Sequence, residues 1–176
     1  MSKEITKKKV NSRNKGATYE RKIAKMLTDW TGIEIRRTPM SGGWNKTGDL
    51  TPKDPSEMEK FPLSFELKNR QEFSIEMLFH IRNSEDMPKI LKKYWDQCSG
   101  EAKESEKVPL LILTRNNADN FIMFDTGIFD NIILPHIQQE AFLYPDYTYL
   151  KSMDITVMLL SDFLRIPYSL LKDLKC

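Results

Sequence analysis

The chain has 176 residues and a mass of 20.6 kDa, with 40 % hydrophobic and 30 % charged residues, the composition of one globular domain rather than a disordered chain. The longest largely apolar stretches, 108–113 with Pro109 and 155–160 with Thr156, span six residues, against the ~20 a membrane-spanning helix needs, and the N-terminal lysines lack the apolar stretch of a secretory signal. Two cysteines give no disulfide framework and no Cys cluster for zinc, and two histidines argue against a zinc site or a histidine-based nuclease, so the expectation is a soluble, cytoplasmic protein of a reducing compartment with no membrane partner. The net charge of +2 is unevenly spread: residues 1–25 carry nine Lys/Arg against Glu4 and Glu20, and the remainder carries 18 basic and 23 acidic side chains. A basic arm on a mildly acidic body suits a polyanion partner, and equally a solubilising tail.

Residues 1–14 are polar and lysine-rich and read as a flexible arm. A helix is expected over 15–30, with Ile23, Met26, Leu27 and Trp30 on one stripe and Gly32 as its stop. Residues 32–38 alternate as a strand that Pro39 breaks, and Ser41, Gly42 and Gly43 form a turn. A short strand is expected at 48–50, then a charged loop over 52–60. Residues 63–68 alternate cleanly, with Leu63, Phe65 and Leu67 toward a core and Ser64, Glu66 and Lys68 on the other face. Helices are expected over 74–82 and 88–102, the second with Asp86 and Pro88 as its start signal and Ile90, Leu91, Tyr94, Trp95 and Cys98 on one face. A charged loop is expected over 100–107, and paired strands over 108–114 and 120–125. Residues 126–150 give no clear pattern. A strand over 155–160 and a last helix capped by Ser161 complete the chain. The order of elements is that of an α/β protein with a central mixed sheet.

The chemistry concentrates between residues 15 and 68. Glu66 and Lys68 place a carboxylate and an ammonium on one strand face; alone, that pattern is more often an ion pair on a solvated surface. Asp49 precedes Glu66 by 17 positions, and an antiparallel pairing of their segments would bring the two carboxylates together. They would repel unless a cation lay between them, and a hard dication such as Mg²⁺ takes one or two carboxylates and keeps several waters. Lys68 could then act on water or on a transition-state charge. Glu20 lies beside the apolar stripe of its helix and needs a cation or donors, whether a metal or a salt bridge, for instance to Arg37 or Lys68.

The runs Lys15-Gly16-x-x-Tyr19-Glu20-Arg21, Arg37-Thr38-Pro39-Met40-Ser41-Gly42-Gly43, Gly48-Asp49-Leu50 and Glu66-Leu67-Lys68 together resemble the archaeal-type Holliday junction resolvases of the PD-(D/E)xK nuclease superfamily. The resemblance implies a restriction-endonuclease-like fold, an α/β core whose central mixed β-sheet is flanked by helices, with residues 15–176 as one nuclease domain after the arm. It implies a metal-dependent centre of Glu20, Asp49, Glu66 and Lys68, with Glu20, Asp49 and Glu66 as metal ligands and Ser41 in the catalytic set. It also implies Mg²⁺ as cofactor, replaceable by Mn²⁺, and Arg37, Ser41, Gly42 and Gly43 at the phosphate. Lys7, Lys8, Lys9, Arg13 and Lys15 are the further expected DNA contacts. The implied activity is that of a homodimeric endonuclease cutting branched DNA such as a four-way junction. Another nuclease of the same superfamily, or a catalytically silent nucleic-acid-binding or interaction protein, are the alternatives.

The sequence departs from that pattern in three places. Gly48 stands where proline often precedes the aspartate, the segment between Asp49 and Glu66 is long, and about a hundred residues follow Lys68. Tyr94 and Gln97 stand in the reverse order of a glutamine–tyrosine motif of related exonucleases and read as a helix surface pair. Tyr144, Tyr147 and Tyr149 read as loop packing more readily than base stacking, and His80 and His136 as structural. The stretch 164–174 either joins a partner subunit or closes the core.

Overall fold

The computed structural model describes residues 12–38, 48–70, 89–114, 118–140 and 145–175, with side chains from residue 15 onward. Outside them lie Lys7, Lys8, Lys9, Ser41, Gly42, Gly43, His80 and Tyr144, the helix expected over 74–82, and the start signal at Asp86 and Pro88. The Arg13 side chain lies outside as well.

Helix α1 spans Ser12–Thr31, beginning three residues before the expected start. Ile23 and Leu27 are fully buried on its inner stripe. It ends where Gly32 adopts φ +72°, a left-handed conformation that costs glycine little. Strands β1 (Ile35–Arg37), β2 (Leu50–Pro52) and β3 (Leu63–Asn69) follow. The charged loop expected over 52–60 instead contains a short helix, α2 (Pro55–Lys60). Asp54 caps it by accepting the Ser56 backbone N–H at 2.8 Å, and Pro55 occupies its first turn, where a missing N–H is harmless. Helix α3 (Lys89–Glu104) runs past Gly100 into the expected loop, because Cys98 and Ala102 continue its buried stripe. Strands β4 (Val108–Thr114), β5 (Phe121–Asp125), β6 (Tyr147–Leu150) and β7 (Ile155–Leu159) complete the sheet.

The seven strands lie in the order β1-β2-β3-β4-β5-β7-β6. β3 and β4 are parallel, joined by a crossover that includes α3, and the other neighbouring pairs are antiparallel. This mixed sheet flanked by helices is the expected α/β, restriction-endonuclease-like architecture. Leu63, Phe65 and Leu67 face the larger core with Ile23 and Leu27 of α1, whereas Leu91, Tyr94 and Cys98 of α3 pack with Leu111 and Leu113 against the opposite face. Both faces of β3 are therefore covered, and Ser64 and Glu66 are buried rather than solvated.

Residues 126–150, unassigned from sequence, contain a helical run of three pieces: Thr126–Ile128, a π-helical Phe129–Ile133 and Leu134–Gln139. Phe129 of this run packs with Tyr147 and Tyr149 of β6, and the Tyr149 hydroxyl donates to Asp130 at 2.8 Å. Both tyrosines thus take the packing role. The last helix, Leu160–Phe163, starts at Leu160 without the expected Ser161 side-chain cap. The C-terminal stretch closes the core: Ile166 and Leu171 are buried, and Trp30 donates from Nε1 to the Ile166 carbonyl at 2.7 Å.

Candidate active site

The site lies where β2 meets β3. Their antiparallel register sets Leu50 opposite Phe65. Just before β2, Gly48 adopts φ +75°. A Cβ there would meet the Phe65 carbonyl oxygen at 2.5 Å. This close approach lets the Asp49 N–H donate to the same carbonyl at 2.7 Å. Proline, whose φ is held near −65°, cannot take that conformation, which explains the departure at this position.

Asp49 then turns its carboxylate along β3, where Oδ2 accepts the Leu67 backbone N–H at 2.9 Å. Glu66 and Lys68, on either side of Leu67, form a hydrogen-bonded ion pair on the α3 face. Glu66 is only 4 % exposed. Burial, and next the charge of Asp49, push its carboxyl up to about 7, with Lys68 opposing. Asp49 is shifted upward too, first by burial, against the lowering effect of the Leu67 N–H. Burial raises both acids; the Asp49 charge raises Glu66 further, and the charges of Glu20 and Glu101 raise Asp49, so a cation nearby would relieve both.

Glu20 comes from α1, on the opposite side of the sheet from α3, and pairs with Arg37 at the end of β1. Its charge is felt by Asp49. Among the described residues, no three carboxylate, histidine or cysteine side chains converge as a ready cage for a metal. Glu66 feels the charge of Asp49, while Glu20 is held by its arginine. Asp49 Oδ1 and Glu66 Oε2 take no hydrogen bond among the described residues. Two carboxylates with oxygens to spare fit a hard dication that retains water. Lys15 is exposed at the start of α1.

Three further groups enter from α3. Gln97 accepts from Lys68 at 3.0 Å through Oε1, and donates from Nε2 to Glu66 at 3.1 Å and to Glu101 at 3.0 Å. Lys68 Nζ also stands 5.5 Å from the centre of the Tyr94 ring, within cation–π range. The expectation that Tyr94 and Gln97 form a surface pair is thus corrected: both reach the Glu66–Lys68 pair, because α3 packs directly on that face of β3. Their three-residue spacing on a helix was the available sequence signal, but it names no partner. Glu101 carried no separate signal; it is one charge among several in that stretch.

A protein-family description, "Phage putative PDDEXK endonuclease", matches residues 11–173. The chain belongs to this family of phage PD-(D/E)xK endonucleases. It is also similar to Protein D14 of Escherichia phage T5, with 30 % identity over 132 residues, covering 70 % of this chain and 78 % of that protein. No solved structure matches. Family membership makes the protein a nuclease with DNA as substrate, and PD-(D/E)xK nucleases generally use a divalent metal ion. Among the described residues, no helix is long and apolar enough to cross a membrane.

Proposed function

We propose that the protein is a Mg²⁺-dependent endonuclease selective for branched DNA, acting as a homodimer on four-way junctions, with Asp49, Glu66 and Lys68 as its catalytic centre. The observation that carries the centre is the joining of β2 to β3 at Asp49 and Leu67, which sets a second carboxylate beside the Glu66–Lys68 pair. Asp49 and Glu66 would hold the cation. When bound, such an ion neutralises phosphate charge and makes water a better nucleophile. The chain's own residues do the rest. Lys68 directs an ammonium donor at the reacting phosphate or its attacking water. Arg37 offers a guanidinium fork suited to phosphate oxygens, and Glu20, its ion-pair partner, would be the third carboxylate. Ser41, Gly42 and Gly43, a few positions after β1 in the sequence, are residue types that could offer a hydroxyl and side-chain-free backbone to a phosphate.

The branched-substrate reading rests on the order of the four sequence runs resembling junction resolvases, and on basic residues suited to backbone rather than base recognition. Symmetric cutting of a four-way junction requires two centres, hence a two-fold dimer. The test is cleavage of matched junction, flap, duplex and single-stranded DNA with Mg²⁺, Mn²⁺, Ca²⁺ or chelator. Junction cleavage with Mg²⁺ or Mn²⁺, abolished by chelator, is the expected result. Equal cutting of linear duplex would overturn the branched-DNA assignment, and no cutting of any form would overturn the centre.

A further inference from the structure

We infer that Gln97 is a positioning residue of the nuclease centre, whose side-chain amide holds the Lys68 ammonium against Glu66 and ties both to Glu101. The inference rests on the reading of Lys68 as part of that centre. A lysine ammonium sits on a flexible four-carbon stem, so acting at one defined atom requires anchors. Lys68 has three: the Glu66 carboxylate, the Gln97 carbonyl at 3.0 Å and the Tyr94 ring. Two of these come from α3.

The orientation of the Gln97 amide follows from its neighbours. An ammonium only donates and an ionised carboxylate only accepts. The carbonyl must therefore face Lys68 and the NH₂ must face Glu66 and Glu101, as observed. A flipped amide would set oxygen against two carboxylates and N–H against the ammonium. Gln97 thus matches a charge pattern that no apolar or singly functional side chain of its size could match. It also lets Glu66 and Glu101 share one donor group, which places Glu101 beside the centre in the structure of the site. The attachment of α3 to the sheet does not depend on it, since Leu91, Tyr94, Cys98 and Ala102 bury that helix.

The test compares Gln97→Met, which keeps length but loses all three hydrogen bonds, with Gln97→Glu, which keeps an acceptor toward Lys68. In the metal-free full chain, the modification rate of Lys68 by an amine-directed reagent is read by peptide mass spectrometry, with the exposed Lys92 as internal reference. Gln97→Met should raise Lys68 modification relative to Lys92 at least three-fold, and Gln97→Glu should return it near the parent level. On cleavable DNA with Mg²⁺, Gln97→Met should lower kcat at least ten-fold with KM changed less than three-fold. Unchanged Lys68 reactivity would overturn the inference, as would an unchanged kcat. A kcat loss accompanied by a large fall in Tm and no change in Lys68 reactivity would also overturn it, because the residue would then be only structural. Absence of cleavage by the parent protein overturns the nuclease reading instead, while the reactivity comparison still decides the Gln97–Lys68 anchor.

Discussion

The Asp49 carboxylate accepts the backbone N–H of Leu67 at 2.9 Å, and this one contact sets the geometry of the site. Leu67 lies between Glu66 and Lys68, so Asp49 is docked to the backbone between those two side chains. The link is to backbone, and it survives any rotamer change at Leu67. It keeps one Asp49 oxygen occupied, and the Asp49 charge raises the pKa of Glu66.

Removing the carboxylate of Asp49 or of Glu66 should separate binding from chemistry. Asp49→Asn and Glu66→Gln should abolish cleavage while DNA affinity stays the same or tightens, because each removes a negative charge that repels phosphate. Gel-shift and single-turnover assays on the same DNA check this. Near-normal turnover of either variant at saturating Mg²⁺ would place the centre elsewhere.

Lys68→Ala should cost turnover far more than metal affinity. Loss of a donor aimed at transition-state charge typically costs ~2.7–4 kcal/mol, or about 10²–10³ in rate. Calorimetric titration with Ca²⁺, alongside single-turnover rates with Mg²⁺, separates the two effects. An effect confined to KM would reduce Lys68 to a substrate-positioning role.

Gly48→Ala should disturb the site through the backbone alone. Its Cβ would approach the Phe65 carbonyl oxygen to 2.5 Å in a conformation with φ +75°. Strain of this type costs on the order of 1–3 kcal/mol, and relief requires moving the Asp49 N–H off the Phe65 carbonyl. A lower Tm together with a loss of cleavage is expected. A variant with parent-like Tm and activity would show that this turn does not position Asp49.

The metal-free protein should lose stability as pH rises from about 4.5 to about 7. Glu66 holds its proton more tightly when folded, up to about 7, than its ordinary value of 4.5. Across that window the folded state binds more protons than the unfolded state, so unfolding becomes easier with rising pH. Asp49 contributes in the same direction. Thermal unfolding in chelator across pH 4–8 should show the decline, and Glu66→Gln should flatten it. A divalent cation should offset it by neutralising the pair. The same slope in Glu66→Gln would assign the effect to another group.

Deleting residues 1–11 should weaken DNA binding without altering its selectivity. The segment carries Lys3, Lys7, Lys8 and Lys9 against Glu4, and it precedes the first turn of α1. If all four lysines neutralise phosphates on duplex arms, the log–log salt slope should flatten by up to ~3.6 units. Binding to junction and duplex over a salt series measures it. Unchanged slopes would mean the segment does not touch DNA, and loss of junction preference alone would mean that it reads DNA shape.

Much of the frame was readable from local pattern. The alternation Leu63, Phe65, Leu67 against Ser64, Glu66, Lys68 fixes which side chains share a face, because strand geometry has period two whatever surrounds it. The six-residue apolar run at 108–113 and the Gly32 stop carry comparable local information. The helix α2 was also readable, since Asp54-Pro55-Ser56 is a start signal, but the density of charge over 52–60 suggested a loop. At 100–107, Gly100 and the charges obscured a helix that Ala102 extends by being buried.

Sequence alone supplied the candidate residues and their order: Asp49 ahead of Glu66 and Lys68, with strand periodicity setting Glu66 and Lys68 on one face. Their partners came from the packing of distant elements. Glu20 meets Arg37 because α1 packs on one face of the sheet against its edge strand β1, and Gln97 meets Lys68, 29 residues away in sequence, because α3 covers the other face. Backbone periodicity is a property of neighbouring residues, so it is written locally. The partner of a polar side chain depends on which elements pack together, and that is settled only when burying the apolar stripes of α1 and α3 brings both helices onto the sheet.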